Sequence, residues 1–212
     1  MIQITEIYRS IQGESTYAGL PCVFIRTTGC NLRCTWCDTE YAFYGGRKMS
    51  VEDILKDVEA LQTNLVEITG GEPLLQKDVP ELAGQLLEKK YTVLVETSGE
   101  RDISLLPERV IKIMDLKCPG SGESQRNRWD NLKHLTMEDQ IKFVIKDRTD
   151  YDWAFDVIHK HQLEGLVQIL ISPVFGSLDL QQLTGWVLDD HLLARVQIQM
   201  HKIIWNPRTK GV

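Results

Sequence analysis

The sequence predicts an α/β fold, a partial (open) TIM-like (β/α) barrel of about six parallel strands. Three observations predict it. Short β-branched apolar runs alternate with segments whose apolar residues recur at helical spacing. At 212 residues the chain is shorter than the roughly 250 of a complete eightfold barrel. The segments richest in Gly, Cys and acidic residues each follow a strand-like run, which gathers them at the C-terminal rim where such folds carry their sites.

The elements follow in order. "CVFIRTT" (22–28) is a buried-looking strand that ends just before a cysteine-rich loop. Ser50 opens a helix, with Asp53 three residues on in a capping-box arrangement and Val51, Ile54, Leu55, Val58 and Leu61 on one face. "LVEIT" (65–69) is a strand that runs into "GGEP". Val79, Leu82, Ala83, Leu86 and Leu87 mark a second amphipathic helix. "TVLVET" (92–97), "VIKIMDL" (110–116), "QIKFVIK" (140–146) and "LVQILIS" (166–172) are further strands, and "RVQIQM" (195–200) is the last. Helices are expected over 150–161 and 179–190. The polar stretch 118–131, rich in Gly and Ser, reads as the least ordered loop. No linker divides the chain, so one domain is expected over 1–212, with a short N-terminal segment and a C-terminal tail.

Composition narrows the class. Hydrophobic residues are 42%, charged residues 25% and the net charge is −6, as in an ordinary soluble protein with no basic block for nucleic acid. No apolar run reaches the roughly 18 residues of a membrane span, and "MIQITEIYRS" lacks the apolar core of a signal peptide. A cytoplasmic protein is expected. In a reducing compartment, clustered cysteines favour metal or redox chemistry over disulfides.

Three of the five cysteines fall within "CNLRCTWCD", at Cys30, Cys34 and Cys37. Three thiolates can hold three irons of a [4Fe–4S] cube and leave the fourth open to a ligand. A zinc knuckle completed by His134, His201 or Cys118 is the alternative, although none of those sits in a second tight ligand pair. Cys22 reads as a core thiol, and Cys118 lies beside a rim loop where exposure is possible. "TGGEP" (69–73) supplies paired glycines that admit close backbone approach, and an acid, Glu72, able to accept from an ammonium. By itself this is also an ordinary strand-to-helix turn.

C-x3-C-x2-C with Trp36 before the last cysteine, followed by Gly-Gly-Glu, resembles the radical S-adenosylmethionine (SAM) superfamily. That resemblance implies SAM on the open iron and a 5′-deoxyadenosyl radical made by reductive cleavage. "IYRSIQGESTYAGLPCVFIRTTGCNLRCTWCDT", with "TGGEP", "ETSG" and His201-Lys202, closely resembles the 7-carboxy-7-deazaguanine synthase family from about residue 7 to the end. The resemblance implies ring contraction of a carboxytetrahydropterin, with Mg2+, a flavodoxin or ferredoxin as electron donor, and a homodimer. It places SAM against Trp36, Cys37, Asp38, Gly71, Glu72, Glu96, Ser98, Asp115, Leu116 and Lys117. It places the substrate against Ile11, Gln12, Gly13, Glu14, Arg26, Thr69 and Pro207, with Thr39 on Mg2+. Arg26 suits the substrate carboxylate as a two-pronged donor. Three departures stand out: "DLK" (115–117) where many relatives carry Ser-Pro-Lys, Ser15 where Gly is frequent, and the tail "IIWNPRTKGV" after His201-Lys202, where relatives differ in length. The motifs leave two rival readings, an activase that makes glycyl radicals on a partner protein and a non-catalytic iron–sulfur or zinc module.

Overall fold

The structure, a computed structural model, describes residues 1–207 and 209–212. Nine strands form one sheet: β1 (Ile2–Ile11), β2 (Pro21–Thr27), β3 (Arg47–Met49), β4 (Leu65–Gly70), β5 (Thr92–Thr97), β6 (Ile111–Asp115), β7 (Gln140–Ile145), β8 (Gln168–Pro173) and β9 (Arg195–Val196). Their order is β3-β1-β2-β4-β5-β6-β7-β8-β9. From β2 to β9 every neighbour is parallel, whereas β1 pairs antiparallel with both β2 and β3. The six longer parallel strands are those expected. The sheet curls without closing, with β3 and β9 as its edges.

Helices α1 (Val51–Ala60), α2 (Val79–Glu88), α3 (Arg148–Lys160) and α4 (Leu180–Asp189) cover the convex face, and a short α5 (His201–Ile204) follows β9. Ser50 caps α1 as expected, its Oγ accepting from Asp53 N at 3.1 Å. Helix α3 starts at Arg148, before the expected residue 150, because Asp147 caps it by accepting from Asp150 N. Asp150 is instead buried in the first turn, where it accepts from Gly120 N and Lys146 N.

Because side chains alternate along a strand, each strand feeds two cores. Val23, Ile25, Val66, Ile68, Val93 and Val95 pack outward with Ile54, Val58, Leu82 and Leu86 of α1 and α2. Ile141, Phe143, Ile145, Ile169 and Ile171 pack outward with Tyr151, Ala154, Ile158 and Leu183 of α3 and α4. Inward, Cys22, Phe24, Leu65, Leu94, Ile113 and Leu170 form an apolar floor.

Three expectations need correction. Strand β9 ends at Val196, short of residue 200, because Gln197 turns its buried side chain to the N-terminal loop, accepting from Ser15 N and donating to Ser15 O. The stretch 118–131 is built of short 3-10 turns and is pinned rather than loose. Fully buried Asn131 donates to Gly99 O and Arg101 O and accepts from Ile103 N. Cys118, at the head of this stretch, is 1% exposed and packs in the α3 core.

Candidate active site

The same period of two that builds the floor carries polar residues one step further up each strand. Phe24 leads to Arg26, Leu65 to Glu67 and Thr69, Leu94 to Glu96, and Ile113 to Asp115. With Lys142 of β7 they ring a cavity of about 460 Å3 above the floor. The loop after β1 closes one wall with Ile11, Gln12, Gly13 and Glu14, and the loop after β2 brings Cys30, Cys34, Trp36, Cys37, Asp38 and Thr39 to the rim. Gly71, Ser98, Lys117 and Pro207 complete the expected lining.

The cysteine loop is held against the Gly-Gly turn by close backbone packing. Glu72 N donates to Gly29 O at 2.8 Å. A Cβ on Gly71 would lie 2.2 Å from Gly29 O and 2.8 Å from Cys30 Cβ, so only glycine fits. Burial raises all three thiols, Cys34 to about 11 despite Lys117 nearby. Cys30, Cys34 and Cys37 are free thiols that all line the cavity, and thiolates are the donors that a [4Fe–4S] cube takes, one on each of three irons.

Lys142 is the hub of the polar ring. Its Nζ donates to Glu14 at 2.9 Å and to Glu96, and Asp115 lies 3.8 Å away. Burial would lower its pKa, but the carboxylates, Glu14 first, hold it well above the usual value. Burial would raise Glu14, but Lys142, Gln199 and His201 together hold it below the usual carboxylate range. Asp115 also pairs with Lys117 at 2.8 Å, while its Oδ1 is shut from solvent with no partner among the described residues. A ligand donor, such as a hydroxyl or ammonium of SAM, would satisfy that orphan atom. Among the described residues Glu67 has no salt-bridge partner. Burial, with Glu96 and Glu14 nearby, raises its carboxyl well above the ordinary range, and Gln12 Nε2 donates to it.

On the opposite wall Arg26 Nε donates to Glu6 at 2.8 Å and Nη2 to Tyr8 Oη at 2.9 Å. Tyr41 Oη donates to the same Glu6 oxygen at 2.7 Å. Thr39 Oγ1 donates to Asp38 Oδ1, and Lys202, 2.5 Å from the other oxygen, holds the half-exposed Asp38 carboxyl below its usual range. His201 stacks its ring on Gly13, where a Cβ would lie 2.5 Å from Nδ1. Gly13 is thus constrained by α5 as well as by any ligand.

Two expected contacts are not presented as the motifs suggested. The Glu72 carboxylate is fully buried and off the cavity wall. Oε1 accepts from Leu74 N and Thr97 Oγ1, and Oε2 from Ser98 N and Oγ, which fills its lone pairs. It shapes the "ETSG" turn and is not free to meet an ammonium. Leu116 likewise turns its side chain into the α3 core, and its N–H donates to Lys142 O. Sequence reasoning missed Glu6, Tyr8, Tyr41, Glu67 and Lys142. A lysine and a glutamate inside apolar strands, in "QIKFVIK" and "LVEIT", were the available signal for two of them.

A thiolate loop, a glycine turn at van der Waals limit against it, and a ringed cavity with both a guanidinium and spare carboxyls can hold a cluster, a zwitterionic cofactor and an anionic polar substrate together. Comparison with known proteins agrees. The radical SAM superfamily model matches residues 24–166. The chain is similar to proteins called 7-carboxy-7-deazaguanine synthase from Koribacter versatilis (50% identity, all of both chains) and Chlorobaculum tepidum (41%, all of this chain and 97% of the other). The fold superposes on a crystal structure of QueE from Escherichia coli with a TM-score of 0.79 at 21% identity, covering 94% of each chain. It also matches SuiB from Streptococcus suis bound to S-adenosylmethionine, with TM-score 0.58 at 17% identity over 81% of this chain and 48% of that one.

Proposed function

Since the chain belongs to the radical SAM superfamily, and within it to the 7-carboxy-7-deazaguanine synthase family, we propose that it converts 6-carboxy-5,6,7,8-tetrahydropterin to 7-carboxy-7-deazaguanine with loss of ammonia, a step toward queuosine and related 7-deazapurines. The observation that carries this reading is one cavity lined together by the cysteine loop, Arg26 and the Gln12–Glu14 loop. A reduced [4Fe–4S] cluster on Cys30, Cys34 and Cys37, with SAM, supplies hydrogen-atom abstraction, which no side chain offers.

The protein's own part is binding and orientation. Arg26 receives the substrate carboxylate through donors that its internal partners leave free. Gln12, with backbone at Ile11 and Gly13, reads the polar edges of the pterin, and Thr69 and Glu14 flank it. Trp36, Asp38, Ser98, Glu96, Asp115 and Lys117 surround SAM, with Asp115 Oδ1 as an acceptor awaiting a donor. Thr39 offers a neutral hydroxyl to Mg2+, whose other ligands are substrate oxygens and water, as suits a hard cation that keeps much of its hydration. The apolar floor keeps water from the underside of the ring. A flavodoxin or ferredoxin delivers the electron. A homodimer belongs to the same reading, and exposed Leu188, Leu193, Ile203 and Ile204 supply apolar area for it.

The test is anaerobic reconstitution of the cluster, reduction, and addition of SAM, Mg2+ and the carboxytetrahydropterin. Formation of the deazapurine is expected. A well-formed cluster that yields none sinks the assignment. Cys34→Ala is expected to abolish both cubane absorption and SAM cleavage, and a glycyl-radical activase would cleave SAM without consuming the pterin.

A further inference from the structure

Strand β1 changes face partway along. Ile2 and Ile4 point into the helix-side core with Ile54 and Val58. Their pairing with β2 then slips: Ile4 faces Thr27 but Glu6 faces Arg26, which leaves Thr5 as an extra residue. Such a bulge inverts the alternation beyond it. Even positions that built the core now lie on the opposite face of the sheet, as Glu6 opposite Arg26 and Tyr8 stacked on Phe24 show.

We infer that Glu6, placed by this bulge on the same sheet face as Arg26, is a positioning residue that fixes which edge of the Arg26 guanidinium meets the substrate. The inference rests on the proposal that Arg26 binds the substrate carboxylate. Glu6 Oε1 takes Nε, Tyr8 takes one Nη2 hydrogen, and Tyr41 braces the same Glu6 oxygen. Among the described residues Nη1 makes no hydrogen bond. The Nε side of the fork is therefore closed by the protein, and a ligand carboxylate is confined to the Nη1 end. Glu6 is 20% exposed and Arg26 14%, so the pair is sheltered enough for this geometry to persist against solvent. The residue acts through Arg26 and does not itself touch the substrate.

A carboxylate-specific measurement tests it. Anaerobically reconstituted, unreduced protein with SAM and Mg2+ is titrated with two fluorescent oxidised ligands, 6-carboxypterin and pterin, which differ only in the carboxylate. Glu6→Gln and Glu6→Ala are expected to weaken 6-carboxypterin about tenfold and leave pterin within about twofold, the size of one charge-assisted hydrogen bond. Tyr41→Phe, which keeps both charges, is expected to weaken 6-carboxypterin about threefold and decides the matter if the Glu6 variants fold poorly. Equal losses for both ligands would show a structural role only. Tighter 6-carboxypterin binding would show that Glu6 competes with the substrate. Either result overturns the inference. If the unaltered protein does not prefer 6-carboxypterin to pterin, the role of Arg26 falls, and the positioning role with it.

Discussion

Lys142 Nζ and Glu14 Oε2 lie 2.9 Å apart although 128 residues separate them in the chain. This ion pair stitches the N-terminal loop to the seventh strand across the cavity. Lys142→Met would leave Glu14, Glu96 and Asp115 with an uncompensated share of buried charge, at a cost of about 3–5 kcal/mol. Urea denaturation at pH 7 reads this as a lower midpoint at unchanged slope. The sign with pH follows from Glu14. Its folded carboxyl is held below the ordinary value, so its contribution is present above about pH 4.3 and is lost as pH falls through the folded value. The gap between the unaltered protein and Lys142→Met is expected to narrow below about pH 4.

Glu67 behaves in the opposite sense. Its folded carboxyl is raised, by burial first and then by Glu96 and Glu14, so the fold favours the protonated form. Its contribution is present below about pH 4.3 and is lost as pH rises toward the folded value. Glu67→Gln mimics the protonated acid and keeps an acceptor for Gln12. It is expected to match the unaltered protein near pH 4 and to be the more stable of the two at pH 8, by thermal melting at both pH values.

Gly71→Ala forces a Cβ against Gly29 O, so the cysteine loop must move. A loss of about 1–3 kcal/mol is expected, the usual cost of overpacking. Iron bound per chain after reconstitution should fall with it. Gly185→Ala is the control: a Cβ on the helical Gly185 would meet nothing within 4 Å, and alanine there should stabilise by about 1 kcal/mol without changing iron content.

The parallel strands and four of the helices were legible in the sequence because their apolar periods are unbroken and both faces of the strands are buried. Strand β1 was not, because its bulge breaks the period of two at Thr5 and the pattern after Ile4 reads as irregular. The cysteine loop and Gly-Gly turn were legible as contiguous motifs. Glu6, Tyr41, Lys142 and Glu67 were not, since each acquires its meaning only from partners on other strands. Ser15 shows how a departure is absorbed. It adopts a left-handed φ of 62°, where Gly is easier, and Tyr17 N donates to its side chain. Glu72 is the converse case, a motif residue whose carboxylate the fold has already committed to its own turn.

The slip at Thr5 makes the first strand two phases joined in one segment, one coding for the interior and one for the ligand. Length is therefore information there. Deleting a single residue at the slip would bring both halves into one phase. Either Glu6 and Tyr8 would be carried among the isoleucines, or Ile2 and Ile4 would be turned toward the cavity. A change of one residue near the N-terminus, far in sequence from every cysteine, would then be felt as a change of chemistry at Arg26, while the sheet around it stayed whole.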